Sequence, residues 1–151
     1  MNGLMMNMQL SIASIVEHAE RINGDVEIVS VMGDKSRHRY TYREAFARTR
    51  KLSDSMALWG LGQGDRIATL AWNDYRHFEI YYAAACSGYV CHTINPRLFP
   101  EQLAYIINHA EDRYVCIDPD FVSLAESLVD QCPTVQAWVI MTSAENMPET
   151  R

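Results

Sequence analysis

An alternation of short apolar strands with helical segments, which begins at Arg66, constrains the fold of this chain more than any other feature. Strands are predicted at residues 66–71, 89–94, 113–118 and 135–141, and helices at 74–87, 100–110 and 120–131. Parallel strands need crossover connections of this length. Runs such as Val139-Ile140-Met141 suit strands that are covered on both faces. The pattern predicts an α/β fold with an open, mostly parallel sheet and flanking helices.

A helix, a β-hairpin and a second helix are predicted before the sheet. Ser11 can cap a helix that ends near Asn23-Gly24. Residues 26–32 and 37–40 form the arms of the hairpin around the turn at Gly33-Asp34. Thr41 and Glu44 then have the spacing of a capping box, and the helix that they open is expected to continue through Leu58.

Composition favours one globular domain and argues against a nucleic-acid partner. The chain has 151 residues, 48% of them hydrophobic, and a formal net charge of −6. The basic stretch Lys35 to Arg39 is interpreted as a solvated edge of the hairpin. We expect residues 1–141 to form the domain and residues 142–151 to form a polar tail.

The cysteines and the apolar runs indicate a cytoplasmic protein without a transmembrane segment. None of Cys86, Cys91, Cys116 and Cys132 forms a Cys-x-x-Cys pair, and buried reduced thiols are expected. No Lys or Arg precedes Arg21, so a signal peptide is not expected. The longest apolar run, residues 80–86, is too short to cross a bilayer, and peripheral membrane contact stays open.

No catalytic, cofactor-binding or metal-ligating residue is assigned from spacing. The triplet Gly60, Gly62 and Gly64 follows a helix and precedes a strand, which is the reverse of a phosphate-binding loop. A helix exit and a turn are expected there. The five histidines lack ligand spacing. His77 and Glu79 could form a general-base pair, but solvated polar positions are the preferred interpretation.

Residues 95–100, Asn-Pro-Arg-Leu-Phe-Pro, follow a predicted parallel strand. They therefore lie at the carboxyl edge of the sheet, where open α/β sheets bind ligands. Asn95 and Arg97 are candidate substrate-edge residues, and Arg97 could bind an anion. The preferred alternative is a rigid loop in which Arg97 pairs with a nearby carboxylate such as Glu101.

Trp72 and Asn73 follow the first strand of the sheet and are the other candidates at this edge. Trp72 could line an apolar pocket, or it could fill the core. Asn73 or Asp74 could instead cap the following helix.

These segments resemble the N-terminal region of acyl-CoA synthetases of the adenylate-forming superfamily. GLGQGDRIATLAWN at residues 60–73, NPRLFPEQLAYIINHAED at 95–112 and VCIDPDF at 115–121 match in order and spacing. The medium- and long-chain fatty-acyl-CoA ligases are the most similar members, and the likeness covers residues 11–141. It implies part of the large domain of an adenylate-forming enzyme.

The resemblance implies adenylation of a fatty acid by ATP with magnesium, followed by attack of the coenzyme A thiol. In the family, the phosphate loop, the adenine and magnesium motifs and the lid with its catalytic lysine lie beyond the matching region. We therefore expect a fragment that is inactive alone, has no cofactor of its own and self-associates through faces that the remainder would cover. A stand-alone ligand-binding module and an interaction subunit completed by a second chain are the alternatives.

Overall fold

A computed structural model describes residues 3–150 of the chain. Met1, Asn2 and Arg151, which belong to the expected domain and tail, lie outside the described residues. The fold has an N-terminal helix and hairpin, followed by a parallel sheet that carries helices on both faces.

The N-terminal part contains two helices and two strands, and its helices begin at side-chain caps. These elements are α1 (Ile12–Asn23), β1 (Glu27–Val31), β2 (Arg37–Thr41) and α2 (Tyr42–Met56). The Ser11 hydroxyl accepts a hydrogen bond from the Ser14 amide, and Thr41 and Glu44 form the predicted capping box. β1 and β2 pair antiparallel, with Glu27 opposite Thr41.

Four parallel strands and three helices form the rest of the domain. They are β3 (Arg66–Leu70), α3 (Tyr75–Cys86), β4 (Val90–Thr93), α4 (Pro100–Ala110), β5 (Tyr114–Ile117), α5 (Val122–Leu128) and β6 (Ala137–Ile140). The strand order is β4-β3-β5-β6, and each neighbouring pair is parallel. This arrangement confirms the expected fold class.

A hydrophobic cluster lies on each face of the sheet. On one face, α4 and α5 pack on the strands through Leu103, Ile107 and Leu128, which are fully buried. On the other face, α3 contributes Ile80, Ala83 and Ala84, and α2 contributes Met56. Val139 and Ile140 of β6 are half-buried and pack on opposite clusters. The sheet is therefore covered on both sides, as its apolar strands require.

The structure corrects two predicted helices. The helix expected at residues 120–131 is a short α5 flanked by 3-10 turns at Pro119–Phe121 and Val129–Gln131. The helix expected to continue through Leu58 ends at Met56 and passes into a 3-10 turn, Ala57–Trp59. Gly60 then takes a φ of 71°, the left-handed conformation that closes a helix.

The hairpin packs on the body of the domain through aromatic side chains. The rings of His38 and Tyr75 stack with their centroids 3.8 Å apart, and Tyr40 approaches Tyr75 edge-on. The prediction that this stretch is a solvated edge of the hairpin is therefore wrong for His38, which is half-buried. Arg37 and Arg39, which flank His38 in β2, are exposed, because successive side chains of a strand point to opposite faces.

Candidate functional site

The carboxyl ends of the parallel strands bring four loops to one edge of the sheet. The loops after β3 and β4 carry the predicted candidates Trp72, Asn73, Asn95 and Arg97, and the loop after β5 carries Asp118 and Asp120. α3 and α4 lie on opposite faces of the sheet. The chain therefore reverses its winding between β3 and β5, which is where open α/β sheets form a ligand crevice.

Asp74, and not Asn73, caps α3. Its Oδ1 accepts hydrogen bonds from the backbone amides of Arg76 (2.8 Å) and His77 (3.4 Å). The Asp74 carboxylate also forms an ion pair with Arg76. The guanidinium of Arg76 extends to the Met141 carbonyl at 2.5 Å and to Asp118 Oδ1 at 2.5 Å. Arg76 therefore links the loops that follow three strands.

Trp72 is fixed by the loop after β5. Its backbone amide donates to Asp118 Oδ2 at 2.6 Å, and its indole Nε1 donates to Asp120 Oδ2 at 3.0 Å. The indole also lies against Phe121, with ring centroids 5.0 Å apart. The side chain is 40% exposed, so Trp72 lines the surface of the edge and does not fill the core.

An acidic crevice of about 520 Å³ opens on one side of Trp72. Four carboxylates line it together with Arg76: Asp34, Asp74, Asp118 and Asp120. Burial raises the pKa of Asp118, while the Trp72 amide and Arg76 oppose this change. Sequence reasoning missed Asp118 and Arg76, although the carboxyl-end rule that selected Asn95 also applies to Asp118 after β5.

The second cavity at this edge, called the Arg97 pocket, lies on the other side of Trp72. It measures about 380 Å³ and is lined by all four predicted candidates and by His77. Asn95 Oδ1 accepts a hydrogen bond from the Arg97 amide at 3.0 Å, which stiffens the loop. Among residues 3–150, Arg97 forms no ion pair, and the alternative pairing with Glu101 is not observed.

The third cavity, called the hairpin cavity, lies between β1 and α3. It measures about 490 Å³, and Ile28, Phe78, Tyr81 and Tyr82 form its apolar wall. Asn73, His77 and Thr93 line this cavity as well as the Arg97 pocket. The two cavities therefore meet at these residues.

The histidine and carboxylate proposed as a general-base pair do not come together. His77 Nε2 lies 2.9 Å from Thr69 Oγ1 and is hydrogen-bonded to it. Glu79 is buried and accepts two hydrogen bonds from Arg48, at 2.6 and 3.1 Å. The preferred alternative, solvated positions for both residues, is therefore wrong for Glu79.

The residues at this edge do not match the needs of a magnesium triphosphate. Within residues 3–150, no group of three or more His, Cys, Asp or Glu side chains is placed to hold a metal ion. Within residues 3–150, Arg97 is the cation without an ion pair that lines the Arg97 pocket. Triphosphates are instead held by a lysine, several backbone amides and a metal. These side chains therefore do not account for any step of ATP chemistry.

Solved structures of coenzyme A ligases share this fold. An inhibitor-bound N-terminal domain of FACL13 from Mycobacterium tuberculosis superposes with a TM-score of 0.78 at 21% identity, over 87% of this chain and 33% of that one. The anthranilate CoA ligase AuaEII, in complex with anthranoyl-AMP, gives a TM-score of 0.79 at 16% identity, over 90% and 26%. The chain thus shares the fold of part of each of these solved proteins.

Residues 16–151 match the model of the AMP-binding enzyme family, and the chain belongs to that family. It is 50% identical to a 3-methylmercaptopropionyl-CoA ligase of Ruegeria lacuscaerulensis and 48% identical to a medium-chain-fatty-acid–CoA ligase of Ectopseudomonas oleovorans, in each case over 93% of its length. A long-chain-fatty-acid–CoA ligase of Thermus thermophilus is 41% identical over 96%. These relatives confirm the family resemblance.

The chain spans about a quarter of the length of these relatives, 26% in each case. Among residues 3–150, no helix has the length and apolar character needed to cross a membrane.

Proposed function

We propose that these 151 residues supply the N-terminal framework of a fatty-acid–CoA ligase, which adenylates a carboxylic acid with ATP and magnesium and then forms a thioester with coenzyme A. The observation that carries this proposal is 48–50% identity over 93% of the chain to ligases that act on acyl groups. Fatty acid and coenzyme A are the proposed substrates of the whole enzyme.

The carboxyl edge of the sheet is proposed to form one wall of the ligand path in that enzyme. Trp72, Asn73, Asn95 and Arg97 all line the Arg97 pocket, which supports their assignment as substrate-edge residues. Arg97, which has no ion pair in the described part of the chain, supplies a cation there, and the two asparagines supply amide groups that can donate and accept hydrogen bonds.

We further propose that the 151-residue chain has no ligase activity by itself. Catalysis of phosphoryl and adenylyl transfer depends on positioned cations and metal ions, and the described residues do not assemble such a group. The test is fatty-acid-dependent exchange of pyrophosphate into ATP. We expect the purified chain to show the same exchange as buffer.

A full-length relative, such as the medium-chain ligase of Ectopseudomonas oleovorans, is the positive control in the same buffer. The assay is repeated with fatty acids of several chain lengths, so that a negative result does not depend on one substrate. Exchange above the buffer level by the purified chain would refute the proposed inactivity, and the family assignment would stand.

An interaction subunit completed by a second chain is the alternative that the surface supports. Val29 and Val31, which lie on the same face of β1, are 45% and 63% exposed, and exposed apolar side chains that lie together mark interaction surfaces. Self-association of the isolated chain follows from the same exposure. A ligand-binding module is the other alternative, and the cavities at the carboxyl edge support it.

The domain division and the compartment also stay proposals. We propose residue 141 as the end of the domain, which is supported by the position of Met141 in the core directly after β6.

The free thiols Cys86, Cys91, Cys116 and Cys132 support a reducing, cytoplasmic location. Cell fractionation tests the compartment, and recovery of the chain with a secreted fraction would contradict it.

A further inference from the structure

Three methionines that precede the first helix are exposed to solvent. Met5, Met6 and Met8, called the methionine cluster, are 90%, 68% and 66% exposed. Methionine is ordinarily a buried residue, whose flexible side chain fills gaps in a hydrophobic core. The cluster therefore leaves three thioether groups, within four residues, without the packing role that methionine usually has.

The family assignment and the cavities of the sheet do not account for the methionine cluster. The match to the AMP-binding family begins at residue 16. The cavities at the carboxyl edge are lined by residues from Ile28 onward. Met56 and Met141, by contrast, are buried in the core of the domain. The cluster thus lies outside both the matched region and the site described above.

The composition of this segment restricts the kind of metal ion that it can bind. Residues 3–16 contain no Asp, Glu, Lys, Arg, His or Cys. Magnesium and calcium are bound mainly by carboxylate and other oxygen ligands, and zinc is bound by thiolate, imidazole or carboxylate. The sulfur of methionine is a soft, neutral ligand of the kind that selects Cu(I). The segment therefore favours a soft monovalent cation over these divalent ions.

The backbone of this segment allows the three sulfurs to converge. The chain bends at Leu4-Met5 and again at Asn7-Met8, and α1 begins only at Ile12. In a regular strand, Met5 and Met6 would point to opposite sides, and the bends remove this constraint. Each methionine side chain also has three rotatable bonds. No packed element has to move for the three sulfurs to meet at one ion.

We propose that the methionine cluster is a binding site for Cu(I), which the thioether sulfurs of Met5, Met6 and Met8 coordinate. A thioether has no proton to lose when it binds a metal, so the affinity is independent of pH, unlike that of a thiolate or imidazole site. This inference goes beyond the proposed function, because it requires neither ATP nor an acyl group.

The test uses silver(I), a soft monovalent ion that keeps its oxidation state in air. It is added as the nitrate, in chloride-free buffer, to the whole 151-residue chain with the substitution Cys86→Ser. This substitution removes the exposed thiol, which would compete as a soft ligand. The methionine methyl groups carry carbon-13, so that NMR reports directly on each sulfur.

The methyl resonances of Met5, Met6 and Met8 are expected to shift together and to stop shifting at one equivalent of silver(I). The resonance of Met147, which is 53% exposed, should stay in place, because it has no other methionine within five residues. Zinc(II) should shift none of the four. Cu(I), supplied as its acetonitrile complex under nitrogen, should give the same shifts as silver(I).

Matched leucine variants separate coordination by sulfur from apolar contact. Leucine keeps the size and apolar character of methionine but lacks the sulfur. Met6→Leu should weaken silver(I) at least about tenfold, the loss that already follows when a group supporting a metal ligand is removed. The triple variant Met5→Leu, Met6→Leu, Met8→Leu should bind no silver(I) at the cluster. Met147→Leu is the control and should keep the original affinity, which isothermal titration calorimetry measures.

Cluster methyl resonances that do not respond to silver(I) would overturn the proposal. Equal silver(I) affinity in the triple variant and in Met147→Leu would also overturn it, since the exposed methionines would then act only as apolar surface. The result is separate from the proposed function. A chain that binds no silver(I) leaves the family assignment intact, and pyrophosphate exchange by the chain leaves the Cu(I) site intact.

Discussion

At the scale of single residues, the ion pair between Arg48 and Glu79 shows what sequence patterns cannot reveal. Glu79 lies on α3, where its spacing from His77 indicates a solvated position, yet its side chain is only 7% exposed. Its partner comes from α2, 31 residues earlier in the chain. The burial of Glu79 depends on the packing of α2 against α3, and no local signal encodes that packing.

Removing the cation of this pair should destabilise the chain more than removing the anion. Arg48→Met leaves a buried carboxylate without its partner and should lower the free energy of unfolding by about 2–3 kcal/mol. Glu79→Gln leaves an arginine that is 52% exposed and can be hydrated, and should cost about 1 kcal/mol. Urea denaturation measures both values.

Arg50→Met is the matched control, because Arg50 pairs with Glu20 through two hydrogen bonds at 2.8 Å on the surface. Its cost should be about 0.5 kcal/mol. An equal loss of stability in Arg48→Met and Glu79→Gln would contradict the asymmetry.

A second residue-scale prediction concerns the hydrogen-bonded pair of His92 and Asp112. His92 Nδ1 lies 2.8 Å from Oδ2 of Asp112, which is fully buried. The hydrogen bond to Asp112 raises the pKa of His92 above its ordinary value of 6.5, although burial opposes the change. Protonated His92 therefore contributes stability that is complete below pH 6.5 and is lost as the pH rises through the higher folded pKa.

Thermal melts from pH 5.5 to 8.5 test this linkage. Relative to His92→Gln, the wild-type chain should lose stability over the upper part of that range. His109→Gln, which removes an exposed histidine of α4, should keep the wild-type pH profile. If His92→Gln and the wild-type chain show parallel profiles, the pair does not stabilise the fold.

At the scale of elements, local signals predicted most of the secondary structure. The capping box at Thr41 and Glu44 and the proline that opens α4 are recognisable within four residues, and the structure contains both features. The 3-10 turns on either side of α5 could not be predicted in this way. No side chain caps either turn, so no local polar residue marks where the α-helix gives way to 3-10 geometry.

Loss of the α2 cap should cost more than loss of the α1 cap. Thr41→Ala removes a hydroxyl that accepts from the Glu44 amide at 3.3 Å, and should lower the free energy of unfolding by about 1 kcal/mol. Ser11→Ala removes the same kind of bond from α1, which buries no side chain, so fraying of α1 hardly disturbs the core. Its cost should be under about 0.5 kcal/mol. Chemical denaturation measures both free energies of unfolding, and equal losses for Thr41→Ala and Ser11→Ala would contradict this difference.

At the scale of the whole molecule, the sequence predicted which edge of the sheet carries the candidate site. The carboxyl-end rule placed Trp72, Asn73, Asn95 and Arg97 there, and the structure brings them into one pocket. The rule does not give the order of the strands. Only the order β4-β3-β5-β6 shows that Asp118 lies beside the loop after β3, so the acidic crevice was missed.

The exposed valines of the hairpin region should make the isolated chain self-associate. Light scattering after size-exclusion chromatography should show species larger than 17.3 kDa whose fraction rises with concentration. The double variant Val29→Thr, Val31→Thr keeps residues that favour strands but reduces the apolar surface, and should shift the chain toward monomer.

Val90→Thr is the control for this prediction, because Val90 is 48% exposed on β4, outside the hairpin. It should leave the distribution of species unchanged. A monodisperse monomer with a sharp thermal transition at all concentrations would contradict self-association.

The central position of β3 also determines when the sheet can form. β3 pairs with β4 on one side and with β5 on the other, and both partners come later in the chain. The hairpin and α2 need only local contacts and can form early, whereas β3 must wait for distant segments. During synthesis, Leu70 therefore stays without its partner Ile117 until β5 has left the ribosome, and Ile67, which pairs first with Cys91 of β4, gains Tyr114 only then. This interval is when we expect chaperones to bind the nascent chain.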